Sequence, residues 1–290
     1  MAHNRTYILR QRKRVSGIGA SLELISEFLE EDLAQPSGAS INNIANSLYN
    51  IASLESAHGL VSVFDGDDQG WELISKSLYY YYWSTRIKVE FYSDFEYSQQ
   101  RGGLTSCMPV LAGLLASFIS LEQNDLAQSA YEMLCYIMFE EGRVESEYLS
   151  SCSYEPFIVW LYCEYAQMQA PEALKDYNFG VYEAVKLAWE TPDQLTAALK
   201  DVIAYHHTQT KTSATHKWYP VFEDSPFGAI LFEVFAINKT LKAKSFNLDI
   251  FESVVPDDPF KTIDHIQLYQ DETLNGAEAA LTEVLQSLER

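Results

Sequence analysis

A short acidic segment has the spacing of the first half of a calcium-binding loop. Asp65, Asp67 and Gln69 occupy the positions of the first three side-chain ligands, and Gly70 follows at the position of the sharp turn. A bidentate carboxylate closes such a loop at its last position, where this chain has Lys76. Because that ligand is missing, the sequence predicts an acidic turn and no calcium site.

Histidines and cysteines form no recognisable metal or catalytic motif. His206 and His207 are adjacent, so they diverge by about 100° on a helix, and neither an HExxH pattern nor a cysteine pair supports them or His216. Glycine patterns for nucleotide binding and the nucleophile-elbow motif are also absent. The sequence therefore predicts no metal, no cofactor and no enzymatic activity. The cysteines lack CxxC spacing and are expected to be reduced core thiols: Cys107, Cys135, Cys152 and Cys163.

Charge is the most informative property of the composition. The chain has 41 Asp and Glu against 20 Lys and Arg, a formal net charge of -21 in 290 residues. Such a field attracts cationic partners and repels nucleic acid and anionic membrane surfaces. The first 14 residues are the exception, because they carry five bases and no acid: Arg5, Arg10, Arg12, Lys13 and Arg14. The sequence leaves open whether this basic segment is ordered.

The elements that position these residues are predicted to be helices. Few Gly and Pro residues occur for this length, which disfavours a turn-rich β protein. Residues 18–33 have an apolar stripe with acids on the other side, which is typical of an amphipathic helix. Further helices are expected over 40–64, from 71 through the aromatic run Tyr79–Trp83, over 104–121, 126–139, 157–168, 172–190, 193–207, 227–242, 248–255 and 276–288.

The predicted fold is therefore all-α, with helical hairpins packed in a repeat-like or orthogonal array. Residues 15–290 are expected to form one helical domain, with a division into two lobes near 141–155. The four tyrosines and the tryptophan of the run from 79 to 83 point all round a helix, which favours burial over ligand binding. No apolar run reaches the length of a membrane span, and a cytoplasmic location is expected.

The order of features over residues 59–260 resembles immunity protein family 49 of bacterial polymorphic toxin systems. Four passages carry the resemblance: Gly59–Phe64 with Trp71 and Trp83; the hairpin from Leu111 to Tyr136; Ala197–Leu199 leading to Tyr205–His207; and Tyr219–Phe222 through Phe227, Ile230 and Phe235 to Pro256–Phe260. The resemblance implies a helical protein that binds a secreted antibacterial toxin and protects the cell that produces it.

This implied function agrees with the charge, because an acidic inhibitor can occlude a basic active-site cleft. Acids that lie beside aromatic residues are the expected contacts with the toxin. These candidate residues are Asp65, Asp67, Asp68, Asp94, Glu96, Glu140, Glu141, Glu145, Glu147 and Tyr148. Two alternatives remain open: a helical-repeat adaptor or effector chaperone with the Tyr79–Trp83 run in its groove, and an enzyme that reverses the toxin's effect.

Overall fold

A computed structural model describes most of the chain. The described residues are 2–94, 103–140, 143–189, 191–211, 218, 220–244, 260–268 and 270–288. Within them lie twelve α-helices and no β-strand, which confirms the all-α prediction. The helices are α1 (Ala2–Val15), α2 (Ile18–Ala34), α3 (Ser40–Phe64), α4 (Gly70–Asp94), α5 (Cys107–Ser120), α6 (Asn124–Phe139), α7 (Ser146–Ser151), α8 (Tyr154–Ala166), α9 (Glu183–Leu187), α10 (Pro192–Thr208), α11 (Phe232–Ala243) and α12 (Glu272–Leu288).

Contacts between helices divide the chain into two compact units. The first unit comprises residues 5–100 and 264–290, and the second comprises residues 1–4 and 101–263. The sequence suggested a division near 141–155 instead. That segment leads into α8, which packs on α5, α6 and α11 and therefore stays within the second unit.

The first unit is built on the long hairpin of α3 and α4. Its apolar stripe on α3 includes Ile41, Ile44 and Leu48, all fully buried, at the spacing of one helix face. Gly59 and Gly70 let the two helices meet, because a Cβ on either residue would lie within about 2.5 Å of the other's backbone oxygen. Helices α2 and α12 pack against this hairpin.

The aromatic run of α4 is internal to this unit. Tyr80, Tyr81, Tyr82 and Trp83 are all buried, as the sequence predicted. The Tyr80 hydroxyl donates a hydrogen bond to the Asp271 carboxylate over 2.8 Å. Tyr79, the first residue of the run, is half-buried, so four of the five aromatic side chains lie in the interior of this unit.

Helix α1 contains the basic N-terminal segment. Asn4, Tyr7, Ile8 and Gln11 are buried and recur at helical spacing, while the arginines and Lys13 occupy the other positions. Gly17 separates α1 from α2 with a φ of 84°, in the left-handed region that glycine adopts most readily. The basic segment thus forms a helix with a buried stripe.

The second unit surrounds α5. Every residue of α5 from Leu111 to Ser120 is buried, and α6, α8 and α11 pack against this helix. The predicted hairpin of 104–121 and 126–139 corresponds to α5 and α6 and is confirmed. The polar turn between them contains Glu122, whose φ of 56° allows the reversal of chain direction.

The helix predicted over 172–190 is wrong. Two short 3-10 turns, Glu172–Asp176 and Gly180–Tyr182, precede the five-residue α9. The interruption has a local cause, since Gly180 has a φ of 55° and its N–H donates to the Asn178 side chain over 2.8 Å. The helix predicted over 248–255 lies outside the described residues.

Candidate functional site

The acidic turn between α3 and α4 is largely engaged within the first unit. The Asp65 carboxylate pairs with the guanidinium of Arg12 from the basic helix α1. Asp67 accepts a hydrogen bond from the Gln69 N–H over 3.0 Å at the approach to α4. Asp68 is exposed. Two of these three predicted contact residues therefore already have partners in the chain.

The second and third predicted clusters are only partly described. Glu96, Glu141 and the side chain of Asp94 lie outside the described residues. Glu140 is exposed and lies 3.7 Å from the guanidinium of Arg143. Glu145 and Glu147 are exposed at the start of α7, so this cluster remains accessible to a partner.

Tyr148 is not the exposed aromatic anchor that the sequence predicted for this cluster. Its side chain is only 5 % exposed, its hydroxyl donates to the Glu155 carboxylate, and its ring packs edge-on against Trp218. The tyrosine points inward because α7 lays its apolar side on the second unit. The exposed acids near it therefore lack the aromatic residue expected of an interface core.

A buried histidine and glutamate form the most conspicuous polar pair of the second unit. His206 on α10 and Glu233 on α11 are 0 % and 1 % exposed, and the histidine Nδ1 lies 2.6 Å from the carboxylate. The imidazole also stacks on Phe222, with 4.0 Å between ring centroids. Geometry of this kind orients a general base in enzymes, but here both side chains are sealed from solvent.

Glu155 is a second buried carboxyl group in the same unit. Desolvation raises its pKa above the ordinary value, although the hydrogen bond from Tyr148 opposes that shift. Burial likewise raises the pKa of Tyr154, and the neighbouring carboxylates of Glu233 and Glu155 add to it. We name the set of Tyr148, Glu155, His206, Phe222 and Glu233 the buried cluster. Phe222 stacks on His206 and also packs edge-on against Tyr154, which precedes Glu155, so the cluster links residues of α7, α8, α10 and α11.

Burial raises the pKa of three of the four cysteine thiols, those of Cys135, Cys152 and Cys163. Cys107 and Cys163 are buried, and none of the four forms a disulfide. Burial raises the pKa of the Cys135 thiol to about 12, with neighbouring Cys163 and Glu132 adding to the effect. A thiol with that pKa is protonated at neutral pH and is a poor nucleophile. No group of three metal-ligating side chains occurs within the described parts of the chain.

The outer side of α2 combines exposed apolar and acidic side chains. Leu24 and Phe28 are 52 % and 53 % exposed and lie one helical turn apart, so they form a joint apolar surface. No lysine or arginine occurs in this helix, and its inner side is held by buried Leu29. We name this surface the α2 face; its exposed residues are Glu23, Leu24, Glu27, Phe28, Glu30 and Glu31.

A surface groove of about 380 Å³ lies between the α2 face and α3. We name it the α2 groove; α2 contributes Phe28, Glu31 and Asp32, and α3 contributes Asn43, Asn46, Ser47 and Asn50. The three asparagines follow one another at intervals of three and four residues, which places them along one side of α3. The groove thus joins an aromatic ring, two carboxylates and a row of neutral polar groups.

A second surface pocket, of about 590 Å³, lies in the second unit between α6, α8 and α11. Its charged groups neutralise each other, because the Lys239 ammonium lies 2.8 Å from the Glu122 carboxylate. Its principal aromatic wall is also engaged, since the Tyr165 hydroxyl donates to Asn124 over 2.8 Å. This pocket offers a partner less net charge and fewer available polar groups than the α2 groove.

Sequence reasoning did not select the α2 face as a site. A signal was nevertheless present, because Leu24 and Phe28 fall off the apolar stripe of α2 and interrupt its acidic side. Among the described residues, no helix is long and apolar enough to cross a membrane. Comparison with models of known protein families, with curated proteins and with solved structures finds no match.

Proposed function

We propose that this protein is an immunity protein that binds a cognate antibacterial toxin with a basic surface and blocks its active site in the cytoplasm. The observation that carries the proposal is the α2 face, where Leu24 and Phe28 are exposed side by side next to a row of exposed glutamates. Large apolar side chains exposed together commonly mark interaction surfaces. The negative charge of these glutamates favours a partner with a basic surface.

Each part of the α2 face has a distinct role in this proposal. The glutamates and the net charge of -21 accelerate encounter with a cationic surface and orient the two proteins. Phe28 and Leu24 then bury apolar area at the centre of the contact, where most binding free energy is found. Toxins that act on nucleic acid need basic clefts, so an acidic protein seated there also competes with the anionic substrate.

The resemblance to immunity protein family 49 supports the same proposal from the sequence. It rests on passages around α3 to α6, α10 and α11, whereas the α2 face lies outside all of them. A scaffold that is shared within a family, together with a recognition surface that differs, would suit proteins that must each fit a different toxin.

The proposal is tested by co-expressing this chain with the product of the neighbouring toxin-like gene, followed by pull-down and a growth assay. We expect a stoichiometric complex that restores growth and dissociates at high salt. The Leu24→Ala/Phe28→Ala variant should lose both rescue and binding, while Leu187→Ala, which removes a side chain exposed by 78 % elsewhere, should lose neither.

The remaining outcomes discriminate between the alternatives. Growth rescue without a complex would overturn the proposal in favour of an enzyme that reverses the toxin's effect. A complex that leaves toxicity unchanged would favour an adaptor or effector chaperone. Rescue that is lost on neutralising Glu140, Glu145 and Glu147, but retained on changing Leu24 and Phe28, would move the site to α7.

A further inference from the structure

The α2 groove is lined by polar side chains that have no hydrogen-bond or ion-pair partner among the residues that the structure describes. The side chains of Asn43, Asn46 and Asn50 form no hydrogen bond with any described residue, and neither Glu31 nor Asp32 forms an ion pair with one. These three asparagines are exposed along one side of α3 and line the groove beside α2. Their acceptors are available to an incoming group.

The chemistry of the groove selects a cation. Glu31 and Asp32 lie on adjacent positions of α2, so an anionic ligand would be repelled at the rim. The asparagine side chains can turn their carbonyl oxygens toward a donor, and the face of the Phe28 ring attracts positive charge. A ligand for this groove is therefore cationic, rich in N–H donors and partly apolar.

Arginine meets these requirements better than lysine does. Its planar guanidinium carries five N–H donors, binds a carboxylate through two parallel hydrogen bonds and stacks on an aromatic ring. A lysine ammonium presents three donors from a single atom and is more strongly hydrated. A volume of about 380 Å³ has room for one extended side chain and the backbone that carries it.

We propose that the α2 groove receives an arginine side chain of the basic partner, with the guanidinium between the carboxylates of α2 and the asparagine row of α3. This inference rests on the proposed function, because it identifies the group of the toxin that the α2 face recognises. The apolar contact of Leu24 and Phe28 supplies affinity, and the groove supplies specificity for arginine.

The test uses the whole protein and three small probes, N-acetyl-arginine amide, N-acetyl-lysine amide and N-acetyl-citrulline amide. Proton–nitrogen correlation spectra follow the side-chain amides of Asn43, Asn46 and Asn50 during titration. The arginine probe should shift these signals with a dissociation constant on the order of 1 mM, as expected for a fragment. The lysine probe should bind at least about five-fold more weakly, and the uncharged citrulline probe should produce no shift.

Two variants test whether the arginine probe binds in the α2 groove. Glu31→Gln/Asp32→Asn should weaken binding of the arginine probe by about ten-fold, while Glu283→Gln, on the exposed side of α12, should leave it unchanged. Equal shifts for arginine and lysine, or shifts confined to residues outside the groove, would overturn the inference.

The two proposals fail in different ways. If the protein binds the toxin and restores growth but does not bind the arginine probe, the arginine inference is wrong and the proposed function still holds. If the protein binds the arginine probe selectively but neither binds the toxin nor restores growth, the proposed function is wrong.

Discussion

The α2 face and the buried cluster both concentrate carboxylates, but their carboxylates meet different surroundings. On the α2 face, four exposed glutamates lie beside two exposed apolar side chains. In the buried cluster, Glu155 and Glu233 are sealed against tyrosines and His206. Buried carboxylates act on the stability of the fold, while exposed ones act on association. Substitutions in the two regions should therefore change different measured quantities.

The largest expected effect is on stability, from breaking the His206–Glu233 pair. Glu233→Ala leaves a sealed imidazole without its hydrogen-bond partner, so we expect the free energy of unfolding to fall by about 3 kcal/mol. Chemical denaturation measures the change. Glu30→Ala on the α2 face is the control and should stay within about 0.5 kcal/mol of the natural protein. Similar losses in both variants would contradict the division of roles.

The next effect is on binding, from removing the apolar centre of the α2 face. Leu24→Ala/Phe28→Ala should weaken the complex with the toxin by about thirty-fold or more, because anchors of this kind contribute about 2 kcal/mol or more. Unfolding stability should change little, since both side chains are half exposed already. Calorimetric titration and denaturation of the same samples measure both quantities. An unchanged affinity would show that the partner binds elsewhere.

A smaller effect is expected on the rate of association. Raising NaCl from about 50 mM to about 500 mM should slow association by about ten-fold or more, because salt screens the attraction between the proteins. Surface plasmon resonance measures the rate. Glu23→Gln/Glu27→Gln/Glu30→Gln/Glu31→Gln should slow association at low salt and reduce the salt dependence. A larger effect on the association rate could instead come from neutralising the acids near α7, in Glu140→Gln/Glu145→Gln/Glu147→Gln. In that case the electrostatic attraction of the toxin would be assigned to the acids near α7.

The smallest effect concerns the pH dependence of stability. Since burial raises the pKa of Glu155, the folded state holds its proton more tightly than the unfolded chain does. The stability from this group is thus fully present below the ordinary pKa of a glutamate and is lost as pH rises through the raised pKa. Glu155→Gln should flatten the profile in that window. Denaturation midpoints at closely spaced pH values test this, and an unchanged slope would contradict it.

The sequence predicted the helices best where an apolar stripe was long and uninterrupted. The stripes of α2 and α3 and the hairpin of α5 and α6 follow directly from residue spacing. The segment after Pro171 was mistaken for one helix, because its interruption depends on the left-handed backbone of Gly180. Helix α1 was not recognised because its charge obscured the buried positions of Tyr7 and Ile8.

The candidate site was harder to predict than the fold. Acid clusters can be found in a sequence, but the availability of each carboxylate depends on distant residues. Asp65 meets Arg12 from 53 positions away, and Tyr148 turns inward to Glu155. Conversely, the α2 groove needs two helices to be adjacent before its asparagines and carboxylates share one surface. These relationships are tertiary and leave little trace in local spacing.

The most direct test of the central claim is the dissociation constant of the complex between this protein and the toxin-like product of the neighbouring gene. It should be measured side by side for the natural chain, for Leu24→Ala/Phe28→Ala and for the control Leu187→Ala. We expect a one-to-one complex that the double variant weakens by about thirty-fold or more and the control leaves intact. Equal affinity for all three chains would contradict the assignment of the α2 face as the binding surface.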